Sequence, residues 1–143
     1  MFRDAHLGDF DAIMRLYQQL HPKDPAPLDA REVFQQILDS PGLRLFVLEA
    51  DGAVVATTYL NLVPNLTRGA APYAVIENVV VDAARRGTGL GKAIMAGTLD
   101  VAWEAGCYKV MLMTGSRRPS THAFYKRCGF DGDEKTAYVA HPA

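Results

Sequence analysis

A mixed α/β sheet flanked by helices is predicted by three features of this chain. Two segments with helical apolar spacing open it, an Asp-Gly hairpin follows, and the second half alternates strand, glycine loop, helix, strand and helix. The 143 residues, 49% of them hydrophobic, suit a single domain over residues 1–143 with a substantial core.

The elements follow in order. Phe10, Ile13, Met14, Tyr17 and Leu20 recur at helical spacing after Gly8-Asp9, which supplies a cap, and His21-Pro22 ends the helix. Pro25 and Pro27 keep the next stretch irregular. A second helix from about Asp29 should bury Val33, Phe34, Ile37 and Leu38 and stop at Ser40-Pro41-Gly42. Strands over 44–50 and 54–62 flank Asp51-Gly52, a strong hairpin signal. Residues 73–82 are rich in β-branched side chains and read as a central strand. A helix over 90–105 ends at Gly106, a strand covers 108–113, a short helix runs through Arg127, and 136–140 is the candidate last strand. Little room precedes Asp9, so any first strand there is very short.

Composition narrows the function. A net charge of −1 argues against nucleic acid or an anionic membrane as partner. Two cysteines, Cys107 and Cys128, form no CxxC pair and suit free thiols in a reducing compartment. The polar N-terminus does not read as a secretory signal, and no apolar run reaches membrane-spanning length, so a cytoplasmic location is expected.

The glycine loop, Arg86-Gly87-Thr88-Gly89-Leu90-Gly91-Lys92, carries the chemistry. A strand turning through glycines into a helix presents unpaired N–H groups and the positive end of the helix dipole to an anion. Arg86 and Lys92 add charge. An ordinary tight turn is the plainer alternative. A P-loop would place Ser or Thr after Gly91-Lys92, where Ala93 stands. A dinucleotide fingerprint needs G-x-G-x-x-G, and Gly87, Gly89 and Gly91 have the wrong third spacing.

The spacing R-x-x-G-x-G at Arg86, Gly89 and Gly91 resembles the GNAT superfamily of acyl-coenzyme A N-acyltransferases. Phe124-Tyr125-Lys126-Arg127-Cys128-Gly129-Phe130 is similar to that superfamily's late F-Y-x-x-x-G-F motif. The resemblance implies a mostly antiparallel central sheet with a splayed central strand pair that holds acetyl-CoA. It also implies cofactor contacts from Val79, Val80, Val81, the loop Arg86–Lys92 and Phe124, and suggests a homodimer. Ile76-Glu77-Asn78 and Gly106-Cys107-Tyr108-Lys109 look like glucosamine-6-phosphate N-acetyltransferases, although Met113 stands where those enzymes carry an acidic residue. The loop with Arg117, Arg118 and His122 looks more like aminoalkylphosphonate and other small-amine acetyltransferases.

The implied reaction moves acetyl from acetyl-CoA to a primary amine of a small molecule, an amino sugar or an anionic amine, by direct attack in a ternary complex. An alkylamine with a pKa near ~10 must lose a proton, a carbonyl oxygen must be met by donors, and a thiolate must be protonated. Glu77 is the candidate base, through water, on the expectation that partial burial raises its pKa; a salt-bridged strand glutamate is the alternative, and His122 is a rival. By resemblance, Tyr125 is the proton donor, and strand N–H groups around Val80 and Val81 meet the oxyanion. Arg117 and Arg118 are candidate grips for a substrate anion, with a solvated loop as the alternative. Tyr59 and Asn61 are candidate substrate-wall residues, and Trp103 reads as core or interface. No metal is expected. The competing functions are a non-catalytic acyl-CoA-binding regulatory module and a protein N-acetyltransferase.

Overall fold

The computed structural model describes residues 1–25 and 27–143. The irregular stretch expected around Pro25 and Pro27 includes residue 26, which lies outside the described residues. Two compact units are present, Met1–Leu112 and Met113–Ala143, and each is described in turn.

The first unit holds a five-stranded sheet in the order β1-β2-β3-β4-β5. β1 (Phe2–Asp4), β2 (Leu43–Ala50), β3 (Ala53–Val63) and β4 (Tyr73–Val81) pair antiparallel, and β5 (Val110–Leu112) pairs parallel with β4. β1 is as short as its place in the chain demands. The β2–β3 hairpin turns through Asp51 (φ 53°) and Gly52 (φ 77°). Both lie in the left-handed region that a type I′ turn requires, which Asp tolerates and Gly adopts freely.

Helices α1 (Phe10–Leu20) and α2 (Ala30–Asp39) pack through Ile13 and Phe34 onto Leu45 and Val47 of β2. Asp9 precedes α1 without capping it through its side chain. Its buried carboxylate instead accepts two hydrogen bonds from the Arg3 guanidinium (2.8 and 3.0 Å) and one from the His6 N–H (2.8 Å). The Arg3 guanidinium, helped by the His6 N–H, holds Asp9 below the usual carboxylate range. Val33, expected in the core, is 43% exposed. It rims an apolar cleft between α1 and α2 with Phe10, Met14, Tyr17, Phe34 and Ile37.

Helix α3 (Leu90–Glu104) buries Ile94, Met95, Thr98 and Ala102. It touches the sheet through Leu48, Val55 and Ala56 and through a buried hydroxyl link, Thr58 Oγ1 to Thr98 Oγ1, at 2.7 Å. Thr98 passes its own hydrogen to the Ile94 carbonyl, 2.7 Å away, so this polar pair is satisfied within the core. α3 ends before Gly106 (φ 84°). Trp103, expected as core or interface, is 50% exposed.

The second unit contains α4 (Pro119–Arg127), with Pro119 at the helix start, where its missing N–H costs nothing. Residues 136–140 form no strand. They are exposed and pair with no neighbour strand, so β-propensity alone does not place them in the sheet.

Candidate active site

β4 changes character half way along. Its parallel pairing with β5 runs only from Ala74↔Val110 to Ile76↔Leu112. Beyond Ile76 the strand continues to Val81 with one edge open. On its other edge the register with β3 slips. Thr57 faces Val80 and Tyr59 faces Glu77, so Thr58 opposes both Asn78 and Val79. This is a β-bulge, and Asn78 takes the extra residue's left-handed conformation at φ 51°. Asn is among the few non-glycine residues that enter this region readily.

The bulge decides which amides face the open edge. Asp82 N–H donates to the Val55 carbonyl at 2.8 Å, so by strand alternation Val80 also turns toward β3. Val79 and Val81 therefore present their backbone groups outward. Arg86 Nε confirms the direction at Val81 by donating to that residue's carbonyl at 3.3 Å. The sequence expectation of Val80 and Val81 as outward donors is corrected to Val79 and Val81; Val80 serves the sheet, with its residue only 3% exposed.

The open edge runs directly into the glycine loop. Asp82 starts a 3-10 turn, Ala83–Arg85, by accepting from the Ala84 N–H at 3.2 Å. Gln19, at the end of α1, grips the same turn from both sides. Its Nε2 donates to Asp82 Oδ1 (3.2 Å) and its Oε1 accepts from the Ala83 N–H (2.8 Å). The Gln19 and Ala84 donors hold the Asp82 carboxyl below its usual range. Thr88 closes the loop, its hydroxyl donating to the Arg85 carbonyl at 2.6 Å.

Gly87 (φ 80°) and Gly89 (φ 83°) are left-handed, and a Cβ at either would meet nothing within 4 Å. The glycines are thus required by the backbone path and leave open space above it. Gly89 stands at the N-cap of α3, its carbonyl accepting from Ala93 N–H at 3.1 Å. The first-turn amides of Leu90, Gly91 and Lys92 have no intrahelical acceptor and open on this space. Arg85 is paired to Asp51 at 3.0 Å, whereas among the described residues no carboxylate pairs with Arg86 or Lys92. The charge at the loop is uncompensated, as an anion cradle needs.

Glu77 sits in the same stretch, opposite Tyr59. It is exposed, so the burial expected to tune its carboxyl is absent from this unit. Asn61, also on β3, donates from its side-chain amide to the Val75 carbonyl at 3.2 Å.

In the second unit, the late motif has a geometric meaning. Phe130 N–H donates to the Tyr125 carbonyl and Gly129 N–H to the Lys126 carbonyl, both at 3.0 Å, with Gly129 at φ 98°. This pair of bonds is the Schellman stop of a helix. It folds the Phe130 ring back onto Tyr125, with centroids 6.2 Å apart, and the Phe124 ring lies 5.2 Å from that of Tyr125. Tyr125 is therefore in edge contact with both rings. Burial pushes its phenol up from the ordinary value, with Cys128 adding to the effect, so it stays protonated. His122 is exposed and donates Nε2–H to the Ser116 carbonyl at 2.8 Å; a carbonyl can only accept, so Nδ1 is left as the acceptor nitrogen. Arg117 and Arg118 are both exposed, and no carboxylate pairs with either among the described residues.

Two contributors had escaped the sequence reading. Gln19 carries no local signal, because its partner lies 64 residues away. Asn78 did carry one, as a polar residue suited to left-handed backbone inside a valine-rich strand.

An open-edged central strand with a bulge, continued by a glycine loop into a helix N-terminus, is a scaffold whose loop end suits an anion. Comparison with known proteins agrees. Residues 10–130 match the acetyltransferase (GNAT) family model, and the chain belongs to that family. It is similar to a glucosamine 6-phosphate N-acetyltransferase of Trypanosoma brucei brucei, 35% identical over 92 residues that cover 64% of this chain and 60% of that protein. The chain thus spans about three-fifths of that relative's length. An aminoglycoside N(6')-acetyltransferase type 1 of Stenotrophomonas maltophilia is 27% identical, covering 98% of this chain and 92% of that one. Among solved structures, an Agrobacterium tumefaciens protein provisionally described as an acetyltransferase shares 45% identity and a TM-score of 0.92, with 99% of each chain covered.

Proposed function

We infer that the chain acetylates the primary amine of a small molecule, with acetyl-coenzyme A as donor and the amine attacking directly in a ternary complex. The observation that carries this reading is the continuous path from the open edge of β4, through Val79 and Val81, to the cationic glycine loop. The amides of the loop and of the α3 N-terminus, with Arg86 and Lys92, fit a pyrophosphate. The open β4 edge fits the amide-bearing arm that follows it, because a lone strand edge offers the hydrogen bonds of a missing neighbour.

Acetyl-coenzyme A supplies, when bound, an acetyl group activated on sulfur. The N–H groups of Val79 and Val81 are fixed donors for the oxygen on which negative charge develops. Tyr125, kept neutral by burial, is the donor for the departing sulfur. Glu77 takes the ammonium proton through water, a role its exposed position permits. Arg117, Arg118 and His122 are the proposed groups for recognising an anionic group on the acceptor.

The family relatives acylate amines of different kinds by their own descriptions, a sugar phosphate and an aminoglycoside. Their common chemistry is a primary amine on a polar carbohydrate-like body, and that class is the proposed acceptor. Thiol release from acetyl-coenzyme A, measured against amino sugars, aminoalkylphosphonates, polyamines, aminoglycosides and amino acids, tests this directly. Turnover confined to amino sugars or aminoglycosides supports the class. Turnover confined to polyamines or amino acids overturns it.

A further inference from the structure

We propose that Gln19, one residue from the end of α1, is a positioning residue: it fixes the turn between β4 and the glycine loop and so places the loop for the donor's pyrophosphate. The proposal rests on the acetyltransferase reading above and concerns its donor half alone.

The chain leaves the sheet at Asp82, whose N–H donates to the Val55 carbonyl at 2.8 Å. It must then cross to Gly89, at the N-cap of α3. Its bonds on the way are mostly internal. Arg85 N–H donates to the Asp82 carbonyl (2.9 Å) and the Thr88 hydroxyl to the Arg85 carbonyl (2.6 Å). Such bonds shape the loop without saying where it points. Among the described residues, two side chains from elsewhere hold it by polar contacts. One is Asp51, paired to Arg85, but its side chain is 84% exposed, and an exposed ion pair contributes little. The other is Gln19, half-buried on a helix whose Ile13 and Leu16 are in the core. Its grip is made from a fixed body.

Both ends of the Gln19 amide are used, and one orientation satisfies them. Oε1 accepts from the Ala83 N–H at 2.8 Å, which leaves the nitrogen to face Asp82 Oδ1 at 3.2 Å. That same carboxylate oxygen accepts from the Ala84 N–H at 3.2 Å. The first two amides of the 3-10 turn are therefore capped from within the protein, Ala83 by Gln19 and Ala84 by Asp82. Neither competes for an anion, which is left to the amides further along, at the glycines and the first turn of α3.

The test uses two single variants and one double. Gln19→Leu removes both bonds and adds no charge. Gln19→Glu keeps the acceptor for Ala83 but sets a second carboxylate against Asp82. Combining Gln19→Glu with Asp82→Asn restores one donor between the two side chains, and the original net charge. By calorimetry, Gln19→Leu should weaken acetyl-coenzyme A about tenfold, Gln19→Glu more, and the double variant should recover most of the loss. In turnover, Gln19→Leu should raise the KM of acetyl-coenzyme A while kcat and the amine KM stay within about twofold of wild type. The reason is that Val79 and Val81 precede the turn, where the pairing with β3 sets their direction. A merely structural role would lower the melting temperature and the active fraction, hence kcat, and leave donor affinity alone. Unchanged affinity in Gln19→Leu, a loss confined to kcat, or a double variant no better than Gln19→Glu would each overturn the proposal. A wild-type protein that binds acetyl-coenzyme A but acetylates no amine defeats the transfer reading, and the calorimetry still decides on Gln19. A wild-type protein that does not bind it defeats both.

Discussion

Gly89 separates the two demands placed on the glycine loop, a backbone conformation and an empty volume. At φ 83° a side chain of any kind costs about 1–2 kcal/mol, because an L-residue is strained there. No steric clash adds to this, since a Cβ at Gly89 meets nothing within 4 Å. Gly89→Ala should therefore lower the melting temperature by roughly 3–8 °C while leaving the anion cradle electrically unchanged. Gly89→Asp pays the same backbone strain and adds a carboxylate beside the pyrophosphate. A unit charge about 5 Å from each of two phosphates is opposed by about 1 kcal/mol per contact in water and about 3 kcal/mol at an effective dielectric of 20. The sum of at least about 2 kcal/mol corresponds to roughly thirtyfold or greater weakening. Calorimetric titration of acetyl-coenzyme A into both folded variants isolates that difference. Equal affinities for the alanine and aspartate variants would refute the placement of the pyrophosphate at this loop.

Further outcomes follow from the same geometry. Tyr125→Phe should reduce kcat by roughly ten- to a hundredfold with cofactor affinity unchanged. Because burial holds the phenol above its ordinary 10.0, the wild-type rate should lose its acid form only above that pH, and the variant should lack this alkaline limb in a pH–rate series. Glu77→Gln should lower kcat/KM for the amine about tenfold; equal turnover would move proton removal to His122 Nδ1 or to water. Asp9→Asn should cost about 2 kcal/mol at pH 7, from the loss of a buried carboxylate that Arg3 grips with two bonds. Its folded pKa is depressed from 3.8, so the wild-type advantage is full above that value and disappears as pH falls through the lower folded one. Chemical denaturation at pH 7 and at about pH 2 checks the sign, and an undiminished deficit in acid would contradict it.

What the sequence made legible was whatever local chemistry compels. Asp51-Gly52 can hardly be anything but a tight hairpin, and Gly87 and Gly89 had to be glycines because the chain is left-handed at both. The motif Phe124–Phe130 was readable for a related reason. Its glycine stops a helix, and the spacing brings Phe130 back onto Tyr125. Long-range partners were not legible. Gln19 reads as one polar residue on an amphipathic helix, yet it pins the turn at Asp82 and Ala83. The difference between Val80 and Val81 as donors depends on a register slip that only the opposing strand reveals, since one extra residue reverses every later amide. Val33 failed as a core residue because apolar character at helical spacing gives a face without saying what covers it. The candidate strand over 136–140 failed because propensity names a conformation and supplies no neighbour.

The central claim is transfer, and release of coenzyme A thiol coupled to mass analysis of the acceptor tests it most directly. The account predicts that thiol release depends on a primary amine, most strongly on an amino sugar or aminoglycoside, and that the amine gains one acetyl group for each thiol released. Binding of acetyl-coenzyme A with no amine-dependent release across the whole panel would contradict it, and would leave a coenzyme A-binding module in place of an enzyme.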